Sequence, residues 1–466
     1  MPFLDRLQHW AQVQPDSTAV AAGADRISFA GLRDAAAALL PTTPRISRVC
    51  LPGGTAFAVR FAAGVAEGRC CAVLDPGWPE AQRRSVEERL VGIETQHATL
   101  LGTDLRDGPP DRDFLYGFTS GTTSVPKAFT RSRRSWQRSF ELGTAFFDLT
   151  RHDRTLAPGP LSASLSLYAL AESLHAGAAF FALPRFSAAE AADCVSAERI
   201  TRIVAAPTVL RLIAAHALSS GADGTGLTGI VSAGSKLDLG TLSLLRLWAP
   251  GASIYEYYGA AELSFVTASV LRPGEVPSVQ TTAVGRALPG VDVRIQDDTG
   301  RTLPTGTPGT IFVRSPLVGG RYVWGDDGQA FRREGDWCTV GDLGYRDRDA
   351  VLHHLGRRAD LIVTSGHNVY PQQVEAALRG VPGVEAAVVT GVPDPVRGTR
   401  LVAAVISTET DAARIRSHVT ALLGVPHRPR AYYALAELPL TSAGKLSRVM
   451  LRRWIEDGDR RVRPLD

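Results

Sequence analysis

At 466 residues, with 44% hydrophobic and 21% charged side chains, the chain is too long for one ordinary compact core, and two or more globular domains are expected. The formal charge of +4 is small, and the arginines are dispersed without a long basic block. That argues against nucleic-acid or membrane-surface binding and favours a small-molecule function.

The opening stretch Met1 to Trp10 carries apolar residues at helical spacing with charges between them, unlike a signal peptide. No uncharged apolar run approaches the roughly 20 residues that span a bilayer. A cytoplasmic protein without a membrane span is expected. The cysteines (Cys50, Cys70, Cys71, Cys194 and Cys338) are odd in number and lack a C-x-x-C pair, so they are read as buried thiols rather than a disulfide framework or zinc site. Of 51 basic residues only Lys127, Lys236 and Lys445 are lysines. Where lysine persists, a compact ammonium on a flexible stem suits a moving phosphate better than a guanidinium fork.

From about residue 25 to 270, apolar β-branched runs alternate with Ala/Leu-rich helical patterns, as in Arg48 to Pro52 followed by the stretch after Gly53. This predicts layered α/β structure with parallel strands. Within it, Tyr116 to Lys127 reads as a strand end running into a loop of hydroxyls, Thr119-Ser120-Gly121-Thr122-Thr123-Ser124, closed by Pro126 and Lys127. Backbone amides around Gly121, hydroxyl donors and an ammonium can together surround nucleotide phosphates. The P-loop pattern does not fit it. Arg131, Arg133, Arg134 and Arg138 follow and are expected to form the solvated face of a helix rather than a nucleic-acid patch, with binding of a ligand's phosphates or an acidic protein surface as the alternative. From Val284 to His354 short alternating runs are separated by Gly, Pro and Asp turns, predicting an antiparallel β subdomain. In it, His353 and His354 are expected to be one core and one surface imidazole. After Gly356 a strand-turn-helix pattern returns, with a helix entered at Pro371 and carrying Val374, Ala377 and Leu378 on one face.

The segment Thr119 to Lys127 resembles the phosphate signature of adenylate-forming enzymes: acyl-CoA synthetases, peptide-synthetase adenylation domains and luciferase. Four further segments resemble that superfamily in order: Tyr257-Tyr258-Gly259-Ala260-Ala261-Glu262, Gly341 to Tyr345, Gly356 to Glu375, and Leu438 to Arg448. The resemblance implies a large N-terminal domain (residues 1–356) of layered α/β subdomains plus a β-barrel-like subdomain (about 284–355). A small mobile α+β C-terminal domain (residues 357–466) would follow. It further implies that Thr119, Ser120, Gly121, Thr122, Thr123 and Lys127 surround the phosphates of ATP and that Tyr257, Tyr258, Gly259, Gly234 and Ser235 line the nucleotide. Asp342 would accept from the ribose, Arg357 would stand beside it, and Glu262 would hold Mg²⁺. Lys445 would be the catalytic lysine, brought in by domain closure about a hinge at Ala359, and Gly366 would line the thiol tunnel.

Pro160 to Ala169 resembles the P-L-S-H-S-L-x-L-Y stretch of fatty- and aryl-acid CoA ligases, with Ala163 in place of histidine. Ala163, Leu165, Tyr168 and Lys236 are expected near a small carboxylic acid. The leading expectation is an ATP-dependent ligase that makes an acyl-AMP and transfers the acyl group to CoA or a carrier protein's phosphopantetheine. The chain ends about 20 residues after Lys445, so no fused carrier domain is expected. The missing histidine keeps an amine acceptor open as the second reading, and a non-catalytic nucleotide-binding relic is the third.

Overall fold

The computed structural model describes residues 3–94, 101–119, 125–276, 282–326, 328, 331–364, 367–394, 398–407, 412–441 and 446–465, with only the backbone of Ala359 and Asn368. Among them the largest sheet has nine strands. Its centre, Ala179–Ala182, Arg154–Ala157, Arg202–Ala205, Gly229–Ala233 and Ser253–Ala260, is all parallel. Strands such as Arg-Ile-Val-Ala and Gly-Ile-Val-Ser-Ala are buried along their whole length, as a parallel sheet covered on both faces requires. Alternate side chains supply two cores: Val204, Val231 and Tyr255 on one face, Ile203, Ile230 and Ile254 on the other.

A second sheet of five strands runs in the order Tyr322–Trp324, Lys127–Ser132, Asp113–Thr119, Cys70–Val73, Ile46–Val49. A third, of six strands, holds Asp292–Gln296, Gly309–Arg314, Arg332–Glu334, Trp337–Thr339, Asp342–Arg346 and Leu352–Arg357. The expected β subdomain therefore exists as a sheet, but two of its strands are lent out. Arg286–Ala287 edges the nine-stranded sheet, and Tyr322–Trp324 pairs with Lys127–Ser132. Local alternation identifies a strand but not the sheet it joins.

The arginine cluster after the phosphate loop also differs from expectation. Arg131 lies on a strand, Arg133 opens the helix Arg133–Phe146, and both are buried. The Arg133 guanidinium donates to the carbonyls of Val65 (3.0 Å), Arg69 (3.1 Å) and Asp113 (3.2 Å). Its fork of donors serves carbonyls from the end of one helix and the starts of two strands. Arg134 and Arg138 are solvated as expected, beside Asp111 and Glu141. The cysteines are free thiols, with Cys71 and Cys338 buried but Cys50, Cys70 and Cys194 only half-buried. His353 is a core imidazole held between Thr282 and Asp347, whereas His354 is half-buried against Asp342 rather than on the surface.

Beyond residue 357 a four-stranded sheet, Val384–Asp394, Gly398–Ser407, Ala431–Leu435 and Val462–Leu465, has its own apolar cores. The chain thus forms a large N-terminal and a small C-terminal domain. The helix Pro371–Arg379 starts at its proline and buries Val374 and Leu378, but Ala377 is half-exposed and Glu375 is buried instead. The reason is electrostatic. Arg448 Nη2 lies 2.8 and 2.7 Å from the two Glu375 oxygens, and the Val389 amide donates to the same carboxylate (3.0 Å). No helix among the described residues is long and apolar enough to cross a membrane.

Removing Arg448 would leave a buried carboxylate unpaired. Arg448→Ala is expected to destabilise the C-terminal domain by about 3–5 kcal/mol, whereas Arg452→Ala, which breaks the exposed pair with Glu456, should cost under about 0.5 kcal/mol. Hydrogen exchange across residues 384–407 under increasing denaturant measures both, and equal protection in the two variants would refute the assignment.

Candidate active site

The strand Asp113–Thr119 and the strand Lys127–Ser132 run antiparallel, with Thr119 directly opposite Lys127. The two ends of the phosphate segment are thereby fixed side by side. Lys127 is buried, and Gly325 packs against its side chain. Ser120, Gly121, Thr122 and Thr123 lie outside the described residues, as do Gly366 and Lys445.

Glu262 stands on the short turn between Ser253–Ala260 and Ser264–Leu271. The turn is tight: a Cβ at Gly259 would sit 2.0 Å from the Ser264 carbonyl oxygen, so this position accepts only glycine. The Glu262 carbonyl accepts from Arg131 Nη1 (3.0 Å) and from the Gly319 amide (2.7 Å), and Arg131 also donates to Ser264 Oγ. The Glu262 carboxylate is nearly buried, and its Oε1 accepts from the Tyr322 phenol at 2.5 Å. The same phenol is 3.3 Å from Thr119 Oγ1. Burial, with the Glu262 charge adding to it, pushes the phenol's pKa up and keeps it protonated. Thr119, Tyr322 and Glu262 therefore form one contiguous group. Sequence reasoning named the first and last but missed Tyr322, whose only signal was alternation with Trp324.

Tyr257 and Tyr258, neighbours on one strand, face opposite sides of the sheet. Tyr258 donates to Asp342 Oδ2 (2.7 Å), and the His354 ring tilts over it at 5.1 Å. Tyr257 instead packs edge-on against Phe265 at 4.6 Å, in the aromatic group that contains Tyr168. Of the two tyrosines, only Tyr258 shares the Asp342 side. Asp342 is buried, with His354 Nε2 3.6 Å from Oδ2 and Arg357 Nε 3.4 Å from Oδ1. Burial pushes its pKa up, but His354, Arg357 and the Tyr258 phenol together outweigh burial and hold it below the usual carboxylate value. Oδ1 is left without a hydrogen-bond donor. An unused, charged acceptor in a buried position is what a ribose hydroxyl would satisfy.

Gly234, with φ of 93°, turns the chain at the C-terminal end of Gly229–Ala233, and Gly234 and Ser235 are exposed there. Ligands of open α/β sheets sit at such carboxyl ends. Next to them Lys236 is ion-paired with Glu256, which also accepts from the Leu237 amide (2.7 Å). The Lys236 ammonium is thus engaged within the protein. Ala163 precedes the helix Ser164–Ala176 and offers no side-chain cap. Leu165 is half-buried one turn before Tyr168, whose phenol accepts from Ser139 (2.6 Å) and whose ring meets Trp136 edge-on at 5.4 Å. Ser447, two residues after Lys445, caps the helix Arg448–Glu456, and Arg448 reaches Asp360 (3.5 Å) beside Ala359 as well as Glu375.

Two features fit a nucleotide with its metal. Glu262 Oε2 has no hydrogen bond among the described residues and, like Thr119 Oγ1, is the hard oxygen donor Mg²⁺ prefers. Asp342 supplies the unused acceptor.

Comparison with known proteins agrees. The AMP-binding enzyme family matches residues 51–323, and the AMP-binding enzyme C-terminal domain matches residues 373–445. The uncharacterized acyl--CoA ligase YhfT of Bacillus subtilis is 30% identical over 443 residues, covering 90% of this chain and 89% of the relative. Among solved structures, the o-succinylbenzoate CoA synthetase MenE of Bacillus subtilis, in complex with its acyl-adenylate intermediate, superposes with a TM-score of 0.80 at 24% identity, covering 96% of this chain and 97% of that one. The amide bond synthetase McbA of Marinactinospora thermotolerans superposes at 0.78 with 27% identity, covering 96% and 99%. With the family spanning more than half the chain and a relative aligned over nine tenths of it, the protein belongs to the AMP-binding enzymes.

Proposed function

We propose that the chain activates a carboxylic acid with ATP, forming an acyl-AMP and releasing pyrophosphate, and then passes the acyl group to a thiol, either CoA or a carrier protein's phosphopantetheine, in the cytoplasm. The reading rests chiefly on Asp342, a buried carboxylate with one oxygen that accepts no hydrogen bond, held by Tyr258 four residues before Glu262 of the Thr119–Tyr322–Glu262 group. The likeness to a relative named as an acyl-CoA ligase supports the thiol acceptor.

In the first step the acid's carboxylate oxygen bonds to the α-phosphorus while the bond from that phosphorus to the β-bridging oxygen breaks, and pyrophosphate leaves. Two anions approach each other, so the barrier falls most where cations sit beside the reacting oxygens. Asp342 and Tyr258 hold the ribose side, and Thr119 and Lys127 hold the phosphates. Glu262 and Thr119 would hold Mg²⁺, which would supply positive charge beside the phosphate oxygens. Lys445 brings an ammonium to the α-phosphate from residues 357–466, a lobe that turns about Ala359 relative to residues 1–356. In the second step the thiol sulfur bonds to the acyl carbon, AMP departs with the carboxyl oxygen, and the thiol proton is released. Gly366 lines the thiol's path once the lobe has turned.

Two observations favour a second reading. Ala163 replaces the histidine of CoA ligases with a side chain that cannot hydrogen-bond, and a neighbour in structure is an amide bond synthetase. Under that reading an amine nitrogen attacks the same acyl-AMP. Mass spectrometry of products formed with CoA, a phosphopantetheinylated carrier or amines separates the two.

Acid-dependent exchange of labelled pyrophosphate into ATP, screened over aliphatic, aryl and hydroxy acids, should find at least one substrate; no exchange with any acid would overturn the reading. Lys445→Ala should lower exchange by at least about 100-fold yet leave transfer from supplied acyl-AMP near wild type. Equal loss of both steps would refute the turning lobe. Asp342→Asn should raise the KM for ATP about tenfold, the loss of one charged hydrogen bond, with the acid's KM little changed. If Lys236 lies on the acid's path, Lys236→Ala shifts the acid preference, and an unchanged preference would confine the residue to its pair with Glu256.

A further inference from the structure

The strand that carries Tyr322 does more than edge the second sheet. It runs along Pro126 to Thr130 as a strap from Gly319 to Gly325. The Gly319 amide donates to the Glu262 carbonyl (2.7 Å), and the Gly320 amide donates to the Thr130 carbonyl (2.8 Å). Tyr322 and Trp324 pair with Phe129 and Ala128, Trp324 Nε1 donates to the Pro126 carbonyl (2.9 Å), and Gly325 packs on Lys127. The backbone of this strap is thereby fixed to both ends of the site, and the Tyr322 phenol projects from it onto Glu262 and Thr119.

We propose that Tyr322 is a positioning residue for nucleotide activation: its phenol locks one oxygen of Glu262 and orients the Thr119 hydroxyl, so that the other Glu262 oxygen and Thr119 present a ready-made pair of donors to the metal bound with ATP. This rests on the adenylation reading above. The chemistry follows from donor counting. A carboxylate with both oxygens free rotates and can turn toward a neighbouring cation such as Arg357. With Oε1 held at 2.5 Å by a neutral donor, only Oε2 remains for a metal, and its direction is set. Thr119 Oγ1, 3.3 Å from the same phenol, is held within reach of the same ion. Pre-organised donors bind an ion without first losing rotamer freedom. The phenol touches no reacting atom in this account, so its effect runs through Glu262.

Tyr322→Phe deletes only the hydroxyl and keeps the strap. Binding of ATP, followed by tryptophan fluorescence in EDTA and across a Mg²⁺ titration, should show unchanged metal-free affinity and a Mg²⁺ half-saturation raised about tenfold, the size of one hydrogen bond to a charged group. Pyrophosphate exchange should recover at high Mg²⁺ with the acid's KM unaltered. In a Glu262→Gln background the same substitution should add little further loss. Trp324→Phe, which drops the bond to Pro126, should lower thermal stability without moving the Mg²⁺ curve. A Mg²⁺ titration of Tyr322→Phe that overlays wild type would overturn the proposal while leaving adenylation intact. So would a full, undiminished loss in the Glu262→Gln background. If wild type itself shows neither Mg²⁺-dependent ATP binding nor acid-dependent exchange, the adenylation reading falls with it.

Discussion

One peptide oxygen holds the site together. The Glu262 carbonyl is shared by the Arg131 guanidinium and the Gly319 amide, and these three residues come from the second sheet, the nine-stranded sheet and the strap. Arg131 is buried, and among the described residues no carboxylate hydrogen-bonds to it; its donors instead reach the Glu262 carbonyl and the Ser264 hydroxyl. Burial drags its pKa down to about 10, still well above neutrality, so the group remains a cation. A guanidinium can tolerate this position because it is weakly hydrated and spreads its charge over several donors. The consequence is that the turn carrying Glu262 cannot shift without breaking contacts in two sheets.

Around that anchor the site divides into two carboxylates with different environments. Asp342 is surrounded by His354, Arg357 and a phenol, which together overcome burial and keep it ionised. Glu262 is tied by backbone on one side and by Tyr322 on the other. An ionised acceptor for neutral hydroxyls and a fixed oxygen for a cation are the two functions a triphosphate nucleoside with its metal demands. Under the proposed reading Asp342 and Glu262 would supply them, from segments that are distant in sequence but linked through Tyr258 and Tyr322.

Much of this was legible in the sequence because it depended on local pattern. The buried β-branched runs gave the parallel centre, Pro371 marked a helix start, and the Tyr258-to-Glu262 and Gly341-to-Tyr345 segments carried the carboxylates. What was not legible depended on pairing across long distances. Nothing in Gly319-Gly320-Arg321-Tyr322-Val323-Trp324 says that the strand leaves its neighbours to join Lys127–Ser132. Nothing in Arg131 and Arg133 distinguishes a buried guanidinium serving carbonyls from a solvated one, because those carbonyls are distant in sequence: Glu262 for Arg131, and Val65, Arg69 and Asp113 for Arg133. Likewise Ala377 fits an apolar helical stripe, yet Glu375 took the buried place because Arg448, 73 residues away, neutralises it.

That last pair bears on how the two lobes cooperate. Arg448 binds Glu375 inside the small domain and lies 3.5 Å from Asp360 at the domain junction. It opens the helix that begins three residues after Lys445. An ammonium delivered by a turning lobe is useful only if its position on that lobe is rigid, since a misplacement of about 1 Å can cost two orders of magnitude in rate. A buried, doubly hydrogen-bonded ion pair supplies that rigidity within the lobe. In the proposed turning of the lobe, the contact to Asp360 lies beside the hinge, and it is longer and half-exposed, so it can break. Under that proposal, strong interactions fix the parts that would stay rigid, and a weak one spans the place that would move.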